Sequence, residues 1–111
     1  RMLSPTGVCS AFDKSANGFV HGEGCSVVAL EAAGGHALAQ KLAVLGSATL
    51  QGGRERASLT APNGASQRRV IHSAWELAGL SPRSADLLEC HGTGTSLGDP
   101  IEVRAVQDAV G

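Results

Sequence analysis

Residues 87–102, which read LLECHGTGTSLGDPIE, decide the fold that we predict for this chain. A short apolar run ends at Cys90, a loop of glycine and threonine follows, and the start of a helix comes next. In open α/β sheets, ligands bind just beyond the carboxyl ends of the strands. The sequence therefore predicts a binding site at this loop, with His91 at its root.

The residue types of the loop suit a ligand site. Gly92, Gly94 and Gly98 can adopt positive φ and let a ligand approach the backbone closely. Thr93 and Thr95 supply hydroxyls that donate or accept hydrogen bonds. We predict that the three glycines shape the loop, where the two threonine hydroxyls are available for hydrogen bonds.

The end of the loop carries a helix-start signal. Asp99, Pro100 and Glu102 fit the N-cap, N1 and N3 positions of a helix over 101–110, as in a capping box. Asp99 thereby joins the loop-shaping residues.

Two interpretations that involve no catalysis compete with this one. A single histidine at a strand end is more often structural than catalytic. A loop of this kind before a helix could also hold a phosphate or nucleotide. It lacks the lysine of a P-loop, however, and does not match G-x-G-x-x-G.

The stretch HGTGT at 91–95, with LGDPIEV at 97–103, resembles the block around the first catalytic histidine of β-ketoacyl synthases, in particular the ketosynthase domains of modular type I polyketide synthases. The resemblance implies a partial thiolase-like α/β fold, a fragment of the second α/β half of an αβαβα layered domain. It makes residues 1–111 one partial ketosynthase domain. The family's nucleophilic cysteine block is expected upstream and its second-histidine block downstream, since neither motif occurs here.

The resemblance also implies a reaction, the decarboxylative Claisen condensation of an acyl thioester with a malonyl-type extender in polyketide or fatty acid biosynthesis. His91 matches the family histidine that donates to the enolate oxygen, and Thr93 and Thr95 match hydroxyls that contact the pantetheine arm. The implied partners are an acyl carrier protein, which supplies the phosphopantetheine arm, and a second copy of the parent domain in a homodimer. No bound cofactor or metal is expected. With one member of a Cys-His-His set, the chain alone is predicted to be inactive, and a non-catalytic ketosynthase-like segment remains an alternative.

Composition limits the class of protein. Nine Lys and Arg against ten Asp and Glu leave a net charge of -1, so no basic stripe points to nucleic acid. No apolar run is long enough to span a bilayer, and three cysteines without close pairing favour a reducing, cytoplasmic setting. His21 and Cys25 are four residues apart, but the glycines between them make a helical metal site improbable. Fifteen glycines and 17% charged residues are typical of part of a larger α/β protein.

Three apolar runs predict buried strands, over 25–31, 41–50 and 86–90. On the third strand Cys90 adjoins His91, and alternating side chains would place the two on opposite faces. We therefore expect Cys90 to be a small buried hydrophobe rather than a nucleophile.

Helical periodicity predicts a long helix that begins at Asn63 or Gly64 and ends at Gly79. A helical turn is expected over 37–41. Compared with the family, the segment 32–42 looks shortened and the loop 50–58 altered. The predicted apolar stripe of the long helix is Val70, Ile71, Ala74, Trp75 and Ala78, with His72 on the solvent side.

Overall fold

The computed structural model describes residues 2–30, 32, 42–51 and 61–111. Its regular elements are two helices, α1 (Gly64–Ala78) and α2 (Gly98–Val110), with a 3₁₀ turn at Pro82–Ser84 between them. The two helices pack against each other. The expected helical turn over 37–41, and most of the segment 32–42 and of the loop 50–58, lie outside the described residues.

Helix α1 begins and ends where the sequence predicts. The Asn63 side chain accepts a hydrogen bond from the Ser66 N–H at 3.0 Å, as an N-cap does. Gly79 takes the left-handed conformation with φ of 66°, and its N–H donates to the Glu76 carbonyl at 3.0 Å. Local capping chemistry therefore sets both ends of the helix.

The faces of α1 also follow the predicted periodicity, and α2 buries two alanines. His72 is exposed, as expected of the solvent side of α1. On α2, Ala105 and Ala109 are the buried apolar residues, with exposures of 3% and 8%. The α1 residues predicted to form the apolar stripe are all half-buried: Val70, Ile71, Ala74, Trp75 and Ala78.

The three predicted strands are wrong for the residues that the structure describes. Residues 25–30, 42–50 and 86–90 form no β-ladder, and Val27 and Leu42 are almost fully exposed. A strand needs a partner strand to hydrogen-bond its backbone, and no described segment provides one for these runs. The pairing that does occur is an isolated parallel bridge between Leu3 and Phe19.

The start of helix α2 differs from the predicted capping box. The helix begins at Gly98, with Leu97 at the N-cap position and no side-chain cap from that residue. Instead, the Thr95 hydroxyl accepts the Gly98 N–H at 3.0 Å, and the Thr95 carbonyl accepts the Asp99 N–H at 3.2 Å. Because Thr95 already satisfies these helix donors, Asp99 lies inside the first turn and its carboxylate is free to bind elsewhere.

Asp99 binds the loop that precedes its own helix. Its Oδ1 accepts the N–H groups of Gly94 and Thr95 at 3.1 and 3.2 Å, and its Oδ2 accepts the Phe12 N–H at 2.8 Å. The side chain is 4% exposed. Three charge-assisted hydrogen bonds and the positive end of the helix dipole stabilise a carboxylate that would otherwise be costly to bury.

The N-terminal segment lies against the same loop. The Gly18 N–H donates to the Gly94 carbonyl at 2.9 Å, and the Cys9 thiol lies 3.3 Å from the Thr93 carbonyl. Phe12 has a φ of 57°, the left-handed value that non-glycine residues rarely adopt. The hydrogen bond from its N–H to Asp99 helps to hold this backbone conformation. Residues 9–18 and the loop therefore form one unit.

Replacing Asp99 with asparagine is predicted to destabilise a full-length ketosynthase domain that carries this sequence. The new NH2 group cannot accept a hydrogen bond and would face a backbone N–H. We expect the free energy of unfolding to fall by about 1.5–3 kcal/mol, as for a lost hydrogen bond to a charged group. Denaturant unfolding measures this change.

The matched control is Asp108→Asn on the same helix. Asp108 pairs with Arg104 at 3.0 Å, and the Arg104 side chain is 75% exposed. An exposed pair of this kind contributes about 0–1 kcal/mol. Equal losses in the two variants would contradict the role given to Asp99.

Candidate active site

His91, Thr93 and Thr95 line one cavity of about 500 Å³, as the sequence predicts for a single site. The cavity lies between the start of α1 and the start of α2, and Gln67 and Glu102 also line it. His91 is exposed, whereas both threonines are half-buried. His91 is therefore open to a ligand beside two half-buried threonines.

Glu102 fixes the backbone of His91. Its Oε1 accepts the His91 N–H at 2.6 Å, and its Oε2 accepts the Gly92 N–H at 2.9 Å. One carboxylate thus binds two consecutive amides, which restricts the main chain on both sides of the His91 carbonyl. The sequence predicted that Glu102 would close a capping box, but its carboxylate holds the catalytic candidate in place.

The two threonine hydroxyls form a short chain. The Oγ1 atoms of Thr93 and Thr95 are 3.3 Å apart, and Thr95 Oγ1 accepts the Gly98 N–H. When Thr95 donates to Thr93, the Thr93 hydroxyl keeps its own proton for a ligand acceptor. Thr95 therefore caps the start of α2 through Gly98 and also lines the cavity.

Two of the three predicted loop glycines have positive φ. Gly92 and Gly94 have φ of 50° and 71°, and a Cβ on Gly94 would lie 3.0 Å from the Ser10 nitrogen. Gly98 is instead the first residue of α2, and there a Cβ would collide with Thr95 Oγ1. All three positions require glycine, but Gly98 requires it for space and not for its φ.

Cys90 is partly buried and has a raised pKa. Burial is the main cause, and the negative charge of Glu102 raises the pKa further. The thiol therefore stays protonated at neutral pH and is a weak nucleophile. Because residues 86–90 form no strand, the alternation expected to separate Cys90 from His91 does not apply, and both residues line a second cavity of about 370 Å³ between α1 and α2.

Two polar residues of this site were not among the predicted site residues. Gln67 and Glu102 line both cavities, together with His91. Glu102 had been given a local capping role because its spacing from Asp99 fits one. Gln67 carries no sequence signal at all, because it is one polar residue within the first turns of an amphipathic helix.

A metal site is not apparent in the described part of the chain. No cluster of three or more potential His, Cys, Asp or Glu ligands occurs among those residues. The His21 ring packs edge-to-face against Phe19, with the ring centroids 5.5 Å apart. Within the same residues, neither helix is long and apolar enough to cross a membrane.

Two models of known protein families match this chain. Residues 42–111 match the C-terminal domain model of β-ketoacyl synthases, and residues 1–35 match the N-terminal domain model. His91, Thr93 and Thr95 lie in the C-terminal match. Met2 and Phe19, which also line the cavity, and the segment 9–18 that packs on the loop lie in the N-terminal match. The chain thus spans the junction of the two models.

Curated relatives are much longer than this chain. A phenolphthiocerol/phthiocerol polyketide synthase of Mycobacterium tuberculosis is 50% identical over 112 residues, which is 98% of this chain and 6% of the relative. Polyketide synthase PksN of Bacillus subtilis is 43% identical over 96% of this chain and 2% of its own length.

A solved structure confirms the predicted fold class, a partial thiolase-like α/β fold. The ketosynthase from module 6 of the bacillaene synthase of Bacillus subtilis superposes with a TM-score of 0.79 at 37% identity, over 98% of this chain and 20% of that one. The chain belongs to the β-ketoacyl synthase family and is similar to the ketosynthase domains of polyketide synthases.

Proposed function

We propose that this chain is the part of a ketosynthase in which His91 stabilises the enolate formed during decarboxylative condensation. The observation that carries the proposal is the position of His91. Its backbone N–H donates to Glu102 Oε1 at 2.6 Å, and His91 lines the same cavity as Thr93 and Thr95. A donor on a fixed backbone, beside a place for the substrate arm, is what this reaction requires.

The chemistry explains why a neutral imidazole suits the step. A malonyl-type thioester loses carbon dioxide, and the electron pair of the broken C–C bond moves into an enolate with negative charge on the thioester oxygen. The enolate carbon then attacks the acyl thioester on a cysteine outside this chain, and that cysteine leaves as thiolate. A preorganised N–H at the developing oxyanion is often the largest single contribution to catalysis, and its loss costs on the order of 10²–10³ in rate.

The threonine pair is the proposed binding site for the pantetheine arm. Gly98 N–H donates to Thr95, and with Thr95 as the donor to Thr93 the Thr93 proton is left for an amide carbonyl of the arm. Hydrogen bonds in such a chain polarise one another, so the outermost donor is strengthened. The arm comes from an acyl carrier protein, and we further propose that the parent domain is a cytoplasmic homodimer.

The charge of the cavity argues against the rival interpretation as a phosphate or nucleotide site. The described residues that line it include Glu102 but no lysine or arginine. A phosphate there would meet a carboxylate and no cation. The pantetheine arm is uncharged along its amide-containing stem, so it fits the cavity better than a nucleotide does.

Replacing His91 with alanine is predicted to separate the two halves of the reaction in a full-length ketosynthase domain. Acyl loading of the upstream cysteine should persist, because that step develops charge on a different oxygen. Carbon dioxide release from a malonyl-type thioester should fall by about 10²–10³-fold. Intact mass and carbon dioxide release measure the two steps.

His72→Ala, at an exposed position on α1, is the control and should leave both signals at the wild-type level. Carbon dioxide release near the wild-type rate in His91→Ala would show that His91 is structural. A wild-type domain that neither loads nor releases carbon dioxide would favour the non-catalytic alternative.

Cys90→Ala is predicted to retain both acyl loading and most condensation activity. Burial and Glu102 raise the pKa of the thiol, so little thiolate exists at neutral pH. Intact mass of the variant after incubation with an acyl thioester is the measurement. Loss of the covalent acyl group in this variant would identify Cys90 as the nucleophile and refute the proposal.

A further inference from the structure

Phe12 occupies a backbone position that normally belongs to glycine. The Asp13 N–H donates to the Ser10 carbonyl at 3.3 Å, which closes a turn with Phe12 as its third residue. Phe12 has a φ of 57° there, and within the described part of the chain it is the non-glycine residue with positive φ. A positive φ at the third position of a turn is normally taken by glycine or asparagine. A phenylalanine at this position therefore calls for an explanation outside the turn itself.

The edge of the Phe12 ring lies against Gly92. A Cβ on Gly92 would lie 3.0 Å from Cε2 and 3.1 Å from Cζ of that ring. Because the Cβ of a residue turns about the N–Cα bond with φ, the left-handed φ of Phe12 sets the direction in which its ring leaves the chain. The Phe12 N–H donates to Asp99 Oδ2 at 2.8 Å, which anchors the nitrogen end of that bond. The turn and Asp99 together therefore direct the ring toward Gly92.

Gly92 has conformational freedom that its hydrogen bond does not remove. Glu102 accepts the N–H groups of His91 and Gly92, which fixes two nitrogen atoms of the main chain. Gly92 has a φ of 50°, but glycine populates positive and negative φ about equally, so rotation past the nitrogen is still open to it. The Phe12 ring occupies the space beside Gly92 and thereby opposes a change of conformation there.

We propose that Phe12 is a positioning residue for His91: its ring keeps Gly92 in the left-handed conformation and so fixes the backbone from which His91 reaches the cavity. This rests on the proposed function, because it takes His91 as the donor to the enolate. Phe12 lies outside the wall of that cavity, so it acts on the reaction only through His91. The strain of a left-handed phenylalanine is a loss of stability that the position of the ring explains.

The contact between Phe12 and Gly92 joins two parts of the family fold. Phe12 lies in the segment that matches the N-terminal domain model, and Gly92 lies in the segment that matches the C-terminal one. The position of His91 then depends on how one part packs on the other. A change in that packing would impair condensation without altering any residue of the cavity wall.

Phe12→Gly in a full-length ketosynthase domain is the test, because it removes the ring while glycine suits the positive φ and keeps the N–H that Asp99 binds. Phe12 is 52% exposed, so loss of its ring leaves little buried cavity. The kcat of carbon dioxide release from a malonyl-type thioester should fall by about 10- to 10²-fold, since a misplacement of ~1 Å can cost about 10²-fold. KM and acyl loading should stay near the wild-type level, and amide hydrogen exchange at Gly92 should speed up.

Val8→Gly, which removes an exposed apolar side chain from the same segment, is the matched control and should keep the wild-type kcat and exchange. If Phe12→Gly fails to fold, Phe12→Asn replaces it, since asparagine also tolerates positive φ.

Unchanged exchange at Gly92 in the Phe12 variant would overturn the proposal, and so would a wild-type kcat there when His91→Ala lowers it. A rise in KM alone would make Phe12 a substrate contact and would also overturn it. Faster exchange at Gly92, together with wild-type carbon dioxide release in His91→Ala, would refute the proposed function and leave the contact of Phe12 with Gly92 established.

Discussion

The structure of this chain depends on two carboxylates at the start of α2 that bind backbone amides. Asp99 accepts hydrogen bonds from Phe12, Gly94 and Thr95, and Glu102 accepts them from His91 and Gly92. Four of the five residues of the HGTGT loop therefore donate their N–H groups to one helix turn. A loop rich in glycine loses much conformational entropy when it is fixed, and these charge-assisted bonds offset that cost.

The same carboxylates connect local structure with the proposed chemistry. A rate contribution from a hydrogen-bond donor requires that the donor be placed before the charge develops, since a misplacement of ~1 Å can cost about 10²-fold. Glu102 fixes the main chain at His91, and Asp99 joins the loop to the N-terminal segment at Phe12. Because residues 1–35 and 42–111 match different domain models, Asp99 also joins the two parts of the family fold.

How much the sequence predicts depends on the range of the interaction. The ends of α1 and its half-buried stripe were predicted because Asn63, Gly79 and a period of 3.6 residues act within one helix. The strands over 25–31, 41–50 and 86–90 were not confirmed in the described residues, because strand pairing depends on distant segments. The chain covers only 20% of the ketosynthase on which it superposes.

In the site, too, features set by neighbouring residues were predicted and features set by distant contacts were not. His91, Thr93 and Thr95 were predicted together from one motif, and the structure places them in one cavity. The predicted capping box does not form, because Thr95 accepts the Gly98 and Asp99 N–H groups at the start of α2. The carboxylates of Asp99 and Glu102 bind the loop instead. Gln67 was missed since only the packing of α1 against α2 brings it near His91.

Amide hydrogen exchange tests most directly whether Glu102 holds the backbone of His91. Exchange would be measured by mass spectrometry with single-amide resolution, in a full-length ketosynthase domain and its Glu102→Gln variant. We predict that exchange speeds up at least about tenfold at whichever of the His91 and Gly92 amides faces the new NH2 group, as expected for the loss of a charge-assisted hydrogen bond, and less at the other amide. Gly94 and Thr95, which Asp99 holds, should change least. Unchanged exchange at His91 and Gly92 would contradict the account.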